Sequence, residues 1–190
     1  TALLDVETRQ WSAKVVDFVA EDLPDKLPPF LSAQESQGAL REELRKKWGL
    51  SGNVTVSAGG GDNMMAAIGT GNIQKGSVTA SLGTSGTLFG FSSTPVIDTQ
   101  GEVAAFCDST GNWLPLVCTM NVTLVTEHIR TMFGWDYAEL ERQILHTAPG
   151  ADGLLLLPYL TGERTPDLPK GTGVFHGITL QNFTPAHMAR

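Results

Sequence analysis

The sequence predicts an α/β chain that holds portions of two domains, and three observations carry that reading. A β-branched run, Val54-Thr55-Val56-Ser57-Ala58, ends in Gly59-Gly60-Gly61 and passes through Asp62-Asn63 into the helix-forming segment Met64 to Ile68. After Gly76 the pattern changes to alternating runs separated by turn residues, as antiparallel strands require. From Leu124 onward, apolar residues recur at helical spacing. The break between the two regions falls between Gly71 and Gly76.

Each element follows from local chemistry. Trp11, Val15, Val16, Phe18 and Val19 lie beyond Ser12, which is placed to cap a short helix ending at Val19. Pro24, Pro28 and Pro29 remove amide donors, so 23–30 is extended or turned. Leu40, Leu44 and Trp48 recur every four residues, which predicts a helix that Gly49 stops. Ser77 to Leu82 and Gly86 to Phe91 read as a hairpin around Gly83-Thr84-Ser85. A second pair, Val103 to Asp108 and Trp113 to Cys118, flanks Ser109-Thr110-Gly111-Asn112. Leu124, Val125, His128, Ile129 and Met132 line one helix face, and Asp136 with Glu139 forms a capping box for a helix reaching Thr147. Leu154 to Leu157 suits a buried strand, and a loop rich in Gly and Pro follows from Thr161 to Gly173.

Composition narrows the function classes. Thirteen Lys plus Arg against twenty Asp plus Glu give a formal net charge of −7, and the one basic run is Arg45-Lys46-Lys47. A phosphate backbone needs a positive footprint, so nucleic acid is not an expected partner. No run approaches the roughly 18 apolar residues of a membrane span, and Thr1-Ala2-Leu3-Leu4-Asp5 lacks a basic export segment, so a cytoplasmic protein without membrane contact is expected. Cys107 and Cys118 have no partners at metal-ligand spacing; they read as buried thiols, and no metal ligands are assigned. His128, His146, His176 and His187 read as structural or surface residues. Phe133, Trp135 and Tyr137 read as packing between helices. The chain lacks an initiator Met and stops at Ala189-Arg190 within a helical pattern, so a piece of something longer is expected.

Two glycine loops follow strands, the position from which backbone amides can be offered to an anion. In Ala58-Gly59-Gly60-Gly61-Asp62-Asn63, consecutive glycines permit close approach, and the Asp62 carboxylate stands at a helix N-terminus that favours its ionised form. A positioned carboxylate is what a hydroxyl nucleophile needs as proton acceptor, although Asp62 also reads as a plain helix cap. In Ser81-Leu82-Gly83-Thr84-Ser85-Gly86-Thr87, the glycines allow a turn that exposes amides while Thr84 and Ser85 add hydroxyls; a simple hairpin turn is the competing reading. Gly71 to Ser77 lacks the Lys of a Walker loop, Gly69-Thr70-Gly71 lacks the third glycine of a dinucleotide fingerprint, and Gly83 to Thr87 is no nucleophile elbow. The adjacent Glu163 and Arg164 read as a solvated loop pair.

The ordered set Gly-Gly-Gly-Asp-Asn at 59–63, Ser-Leu-Gly-Thr-Ser-Gly at 81–86 and Leu-Pro-Tyr-Leu-Thr-Gly-Glu-Arg-Thr-Pro at 157–166 resembles the FGGY carbohydrate kinases. Gly173-Val174-Phe175-His176-Gly177-Ile178, followed by His187-Met188-Ala189-Arg190, resembles the start of that family's second signature. Leu4-Asp5-Val6 with Trp11-Ser12 extends the resemblance over essentially the whole chain. It implies an actin-like ATPase, ribonuclease H-like fold, with portions of two domains flanking a catalytic cleft. Residues 1–74 would close the sugar-binding N-terminal domain, and 75–190 would open the ATP-binding domain. By position, Asp62 matches the family's catalytic base and contacts the sugar, Asn63 helps hold it, and Gly83, Thr84 and Ser85 match the second phosphate loop. The implied partners are a small sugar and ATP with Mg²⁺, and a homodimer is possible. The implied reaction is phosphorylation of a ketopentose, D-xylulose, to its 5-phosphate; gluconate, another polyol, or a non-catalytic actin-like binding role are the alternatives. Residues 167–173 depart from the Ala-Arg-Gly of many relatives. The family's first phosphate loop and adenosine motif have no counterpart in the 190 residues, so the fragment alone is expected to be inactive.

Overall fold

A computed structural model describes residues 3–190; the leader reading begins at Thr1-Ala2, which lie outside them. The chain divides into two compact units. The first comprises residues up to Thr79 with Phe89–Thr99 and Ala104–Leu116; the second comprises Ala80–Leu88, Gln100–Val103 and Val117–Arg190.

In the first unit a small hairpin, β1 (Leu4–Asp5) with β2 (Gln10–Trp11), leads into α1 (Ala13–Val19). Ser12 occupies the cap position predicted for it, but its side chain makes no capping bond. Side chains fix this hairpin to distant segments. The Trp113 Nε1 donates to the Val6 carbonyl at 2.7 Å, and the Arg9 guanidinium lies 4.1 Å from the Trp113 ring centre. The Trp11 Nε1 donates to the Pro28 carbonyl at 3.0 Å, while the Trp11 ring packs on Phe30. Strand β3 (Ser36–Ala39) pairs antiparallel with β4 (Thr55–Ser57) across a register shift at Gly38, whose φ is 120°. Sequence patterning missed β3, because its Ser, Gln, Gly and Ala have little strand preference and the tertiary pairing makes the strand. Between these strands runs α2 (Glu42–Lys47), and after β4 comes α3 (Asp62–Gly69). Val16, Ala67, Phe89, Leu114 and Leu116 are buried in this unit. The Asn72 Nδ2 donates to the Phe89 carbonyl at 3.0 Å, holding the end of the α3 segment beside the next strands.

Strands β5 (Val78–Leu82), β6 (Gly86–Gly90) and β7 (Leu116–Thr119) form one sheet in that order, and the chain assigns parts of them to each unit. The predicted pairing of 103–108 with 113–118 is present as isolated antiparallel bridges, Ala104 with Leu116 and Cys107 with Trp113, rather than as a continuous ladder. In the second unit, α4 (Thr123–Met132) and α5 (Tyr137–His146) match the predicted helices, with the Asp136 carboxylate accepting from the Glu139 amide at 2.8 Å. The polypeptide continues through β8 (Leu155–Leu157), paired antiparallel with β9 (Val174–His176), to α6 (Pro185–Ala189). The expected burial of β8 does not hold, since Leu155 is 55% exposed. Among the described residues its one strand partner is β9, and burying both faces of a strand takes covering layers as well. Both thiols are half-buried rather than buried. Among the described residues, no helix is long and apolar enough to cross a membrane.

Candidate active site

The first candidate site lies wholly in the first unit. The β3–β4 ladder extends into the glycine loop, where the Ala58 amide donates to Glu35 and the Gly59 amide to Ala33. Gly59 then turns at φ 70°, a conformation open to glycine at no steric cost. A side chain at Gly60 would collide with the Ser109 hydroxyl and with Met65. The loop therefore delivers the chain into α3 with Gly61 at the cap position and Asp62 as the first helical residue. Asp62 is thus not itself the cap residue, and its carboxylate accepts from the first-turn amide of Asn63 at 2.8 Å. Being exposed, it remains open to a further proton donor.

Asp62 and Asn63 line a cleft of about 490 Å³, whose other walls include Leu4, Leu31, Phe106 and Asp108. Asp108 is the second carboxylate there, but it is committed to a turn. It accepts from the Thr110 amide at 2.9 Å, the Asn112 amide at 2.6 Å and the Thr110 hydroxyl at 2.6 Å. Burial pushes the neighbouring Cys107 thiol up, against a smaller opposing effect of Arg9, and keeps it protonated at neutral pH. Of the two carboxylates that line the cleft, Asp62 is the one not committed to a turn. Sequence reading did not find Asp108 as a wall of this cleft, because the 106–109 segment reaches it only through tertiary folding.

The second candidate site lies wholly in the second unit. Gly83, Thr84 and Ser85 form an exposed turn between β5 and β6, closed by the Gly83 amide donating to the Ser85 carbonyl at 3.0 Å. A Cβ at Gly83 would stand 3.3 Å from that same carbonyl oxygen. The carbonyls of Gly83 and Thr84 accept from the amides of Thr123 at 3.0 Å and Val122 at 3.1 Å, at the start of α4. This contact serves both partners, because the first amides of a helix lack acceptors within it. In a trans peptide the N–H points opposite to the preceding C=O. Pinning those two carbonyls inward thus turns the Thr84 and Ser85 amides outward, beside the hydroxyls of the same residues.

Glu163 departs from the sequence expectation of a solvated pair with Arg164. It is 2% exposed and accepts four hydrogen bonds: from the Thr119 hydroxyl at 2.6 Å, the Met120 amide at 2.7 Å, the Asn121 Nδ2 at 3.2 Å and the Arg164 amide at 2.8 Å. Burial pushes its carboxyl up, but the combined donors outweigh burial and hold it at about 2. The Arg164 guanidinium points elsewhere, its Nη1 reaching the Cys118 sulfur at 3.5 Å. Adjacent charges in a sequence say nothing of which backbone amides will surround one of them.

An N-terminal domain model of the FGGY family of carbohydrate kinases matches residues 1–69. Xylulose kinase from Haemophilus influenzae is 42% identical over 98% of this chain, covering 38% of that protein, and xylulose kinase from Escherichia coli is 34% identical over 100% of this chain and 39% of its own length. With that similarity the chain belongs to the FGGY carbohydrate kinases. Its resemblance within the family is to xylulose kinases. The solved structure of xylulose kinase from Bifidobacterium adolescentis is 34% identical, with a TM-score of 0.82 over 100% of this chain and 40% of that one. A gluconate kinase from Lactobacillus acidophilus, 23% identical at a TM-score of 0.90, shares the fold. The fold is the actin-like ATPase fold of these kinases, in part, and the chain spans about two fifths of the length of these relatives.

Proposed function

We propose that the chain carries the catalytic base and one phosphate loop of an ATP-dependent kinase that converts D-xylulose to D-xylulose 5-phosphate. On this reading residues 1–74 belong to the sugar-binding domain and residues 75–190 to the ATP-binding domain. Asp62 accepts the proton of the sugar's terminal hydroxyl while the oxygen forms its bond to the γ-phosphorus and the bond to the departing ADP oxygen breaks. Asn63, on the same wall of the cleft, helps hold the sugar. The outward amides of Thr84 and Ser85, the turn at Gly83 and the two hydroxyls receive phosphate oxygens. Phosphoryl transfer draws most of its catalysis from positioning and charge neutralisation, so an oriented acceptor and an oriented cradle fit its needs.

Mg²⁺ would neutralise phosphate charge when bound with ATP. Among the described residues no His, Cys, Asp and Glu side chains converge to hold a metal ion, so this chain is assigned no ligand to it. The single observation that carries the proposal is the contrast between the two carboxylates of the cleft, with Asp108 committed to its turn and Asp62 open.

The deciding experiment uses a full-length protein that carries this chain. Turnover is measured with xylulose, ribulose, gluconate and glycerol, for the native sequence and for Asp62→Asn. The expected result is highest kcat/KM with xylulose and a collapse of kcat in the variant with ATP affinity retained. Preference for gluconate or another polyol would reassign the substrate. Absence of turnover with every sugar would favour a non-catalytic binding role.

A further inference from the structure

We propose that Glu163 is a positioning residue for the Gly83–Ser85 phosphate loop, acting through the Thr119–Asn121 connection and the start of α4. The inference rests on the reading of that loop as an ATP phosphate site.

The chain of contacts is continuous and lies within the second unit. One carboxylate oxygen of Glu163 accepts from the Thr119 hydroxyl and from the Asn121 Nδ2, and the other accepts from the amides of Met120 and Arg164. The 162–163 segment is thereby tied to Thr119, the last residue of β7, and to Met120 and Asn121, the first two residues of its connection to α4. Asn121 doubles the tie: it is 5% exposed, its Nδ2 donates to the Gly162 carbonyl at 2.7 Å, and its Oδ1 accepts from the Thr161 hydroxyl at 3.1 Å. The next two residues, Val122 and Thr123, are those whose amides hold the carbonyls of Thr84 and Gly83. Packing reinforces the same link, because a Cβ at Gly86 would stand 2.7 Å from the Val122 Cγ2 and 3.2 Å from the Thr119 Cγ2. The strand that leaves the phosphate loop thus rests directly on the segment Glu163 holds.

The loop around Glu163 is itself braced. Glu163 and Leu168 exchange backbone hydrogen bonds at 2.8 and 3.0 Å, and the Thr165 hydroxyl donates to the Glu102 carbonyl at 3.1 Å. Gly162 has φ 77°, and a Cβ there would meet the Pro169 carbonyl oxygen at 2.5 Å, so only glycine lets the chain reach this position. Every partner of the Glu163 carboxylate is a donor. A glutamine would place its own NH₂ against donors on one side or the other, which leaves a buried donor without an acceptor. The predicted consequence is a displaced start of α4 and less well-directed amides at Thr84 and Ser85.

The test again uses a full-length protein carrying this chain. ATP affinity is measured by titration calorimetry without sugar, and KM for ATP and for xylulose by steady-state kinetics, for the native sequence, Glu163→Gln, Glu163→Asp and Thr119→Val. For Glu163→Gln the expected result is ATP binding and KM for ATP weakened about tenfold or more, with KM for xylulose changed less than about twofold. Glu163→Asp, which keeps an all-acceptor group, should recover part of the loss. Thr119→Val, which removes one donor, should shift ATP affinity in the same direction by a smaller factor, and it keeps the test decisive if Glu163→Gln does not fold. Unchanged ATP affinity in a folded Glu163→Gln, or equal losses for both substrates, would overturn the positioning role while leaving the loop's assignment intact. Failure of the native protein to bind ATP would overturn the loop assignment, and the positioning role with it.

Discussion

Two glycine loops in this chain follow strands and precede or abut helices, yet they are built to opposite ends. The Gly59–Asp62 loop leads straight into its helix and leaves a carboxylate open to a cleft. The Gly83–Ser85 loop gives its carbonyls to a helix that starts far along the chain, and that helix start is held in turn by a buried carboxylate. A group that must exchange a proton has to be reachable. A cradle made of main-chain amides has to be held still.

The contrast can be broken most sharply at Asp62. Asp62→Asn in the full-length protein should lower kcat by about 10²–10⁴-fold, the usual contribution of a general base, with KM for ATP nearly unchanged; steady-state kinetics with varied ATP checks both parts. Near-native turnover would place the base elsewhere.

Acid titration probes the other region. The carboxyl of Glu163 lies at about 2 against an ordinary 4.5, so its folded form holds the proton more weakly than the unfolded form. Its contribution to stability is complete above about pH 4.5 and is lost as the pH falls through about 2. The interval corresponds to about 3 kcal/mol, at about 1.4 kcal/mol for each tenfold change in proton affinity. Acid unfolding followed by fluorescence should therefore move to higher pH in Glu163→Gln, and the two proteins should converge near pH 2.

Two glycine substitutions sharpen the comparison further. Gly86→Ala drives a methyl into Val122 and Thr119, whose β-branched side chains have little freedom to yield, and should cost about 1–3 kcal/mol in urea unfolding. Gly60→Ala meets the hydroxyl of Ser109 and the terminal methyl of Met65, both at the free ends of side chains. It should cost less than about 1 kcal/mol, because rotamer changes relieve the contact.

How far the sequence reveals each region follows the same division. Helices α1, α3, α4 and α5 lie close to where apolar spacing and capping residues put them, since those signals are local. The Asp62 region is also legible, because a strand, a glycine run and a helix start are contiguous in the chain. Strand β3 was not, for its Ser36-Gln37-Gly38-Ala39 becomes a strand only against β4. The Glu163 knot was misread as a solvated pair because its partners lie more than forty positions away at Thr119, Met120 and Asn121. A lone polar residue between a strand and a helix, Asn121 between Met120 and Val122, is the local hint at that end.

The Glu163 carboxylate also differs in kind from the charges on the surface. Lys46 and Glu42 form an exposed ion pair that salt will screen. Glu163 is instead surrounded by a hydroxyl, a side-chain amide and two backbone amides, all neutral dipoles in a buried setting. Because these partners are neutral dipoles fixed in the fold rather than charged side chains, dissolved ions have little to displace. The shape of the Gly83–Ser85 turn should consequently be indifferent to ionic strength, even where the binding of ATP proposed for it is not.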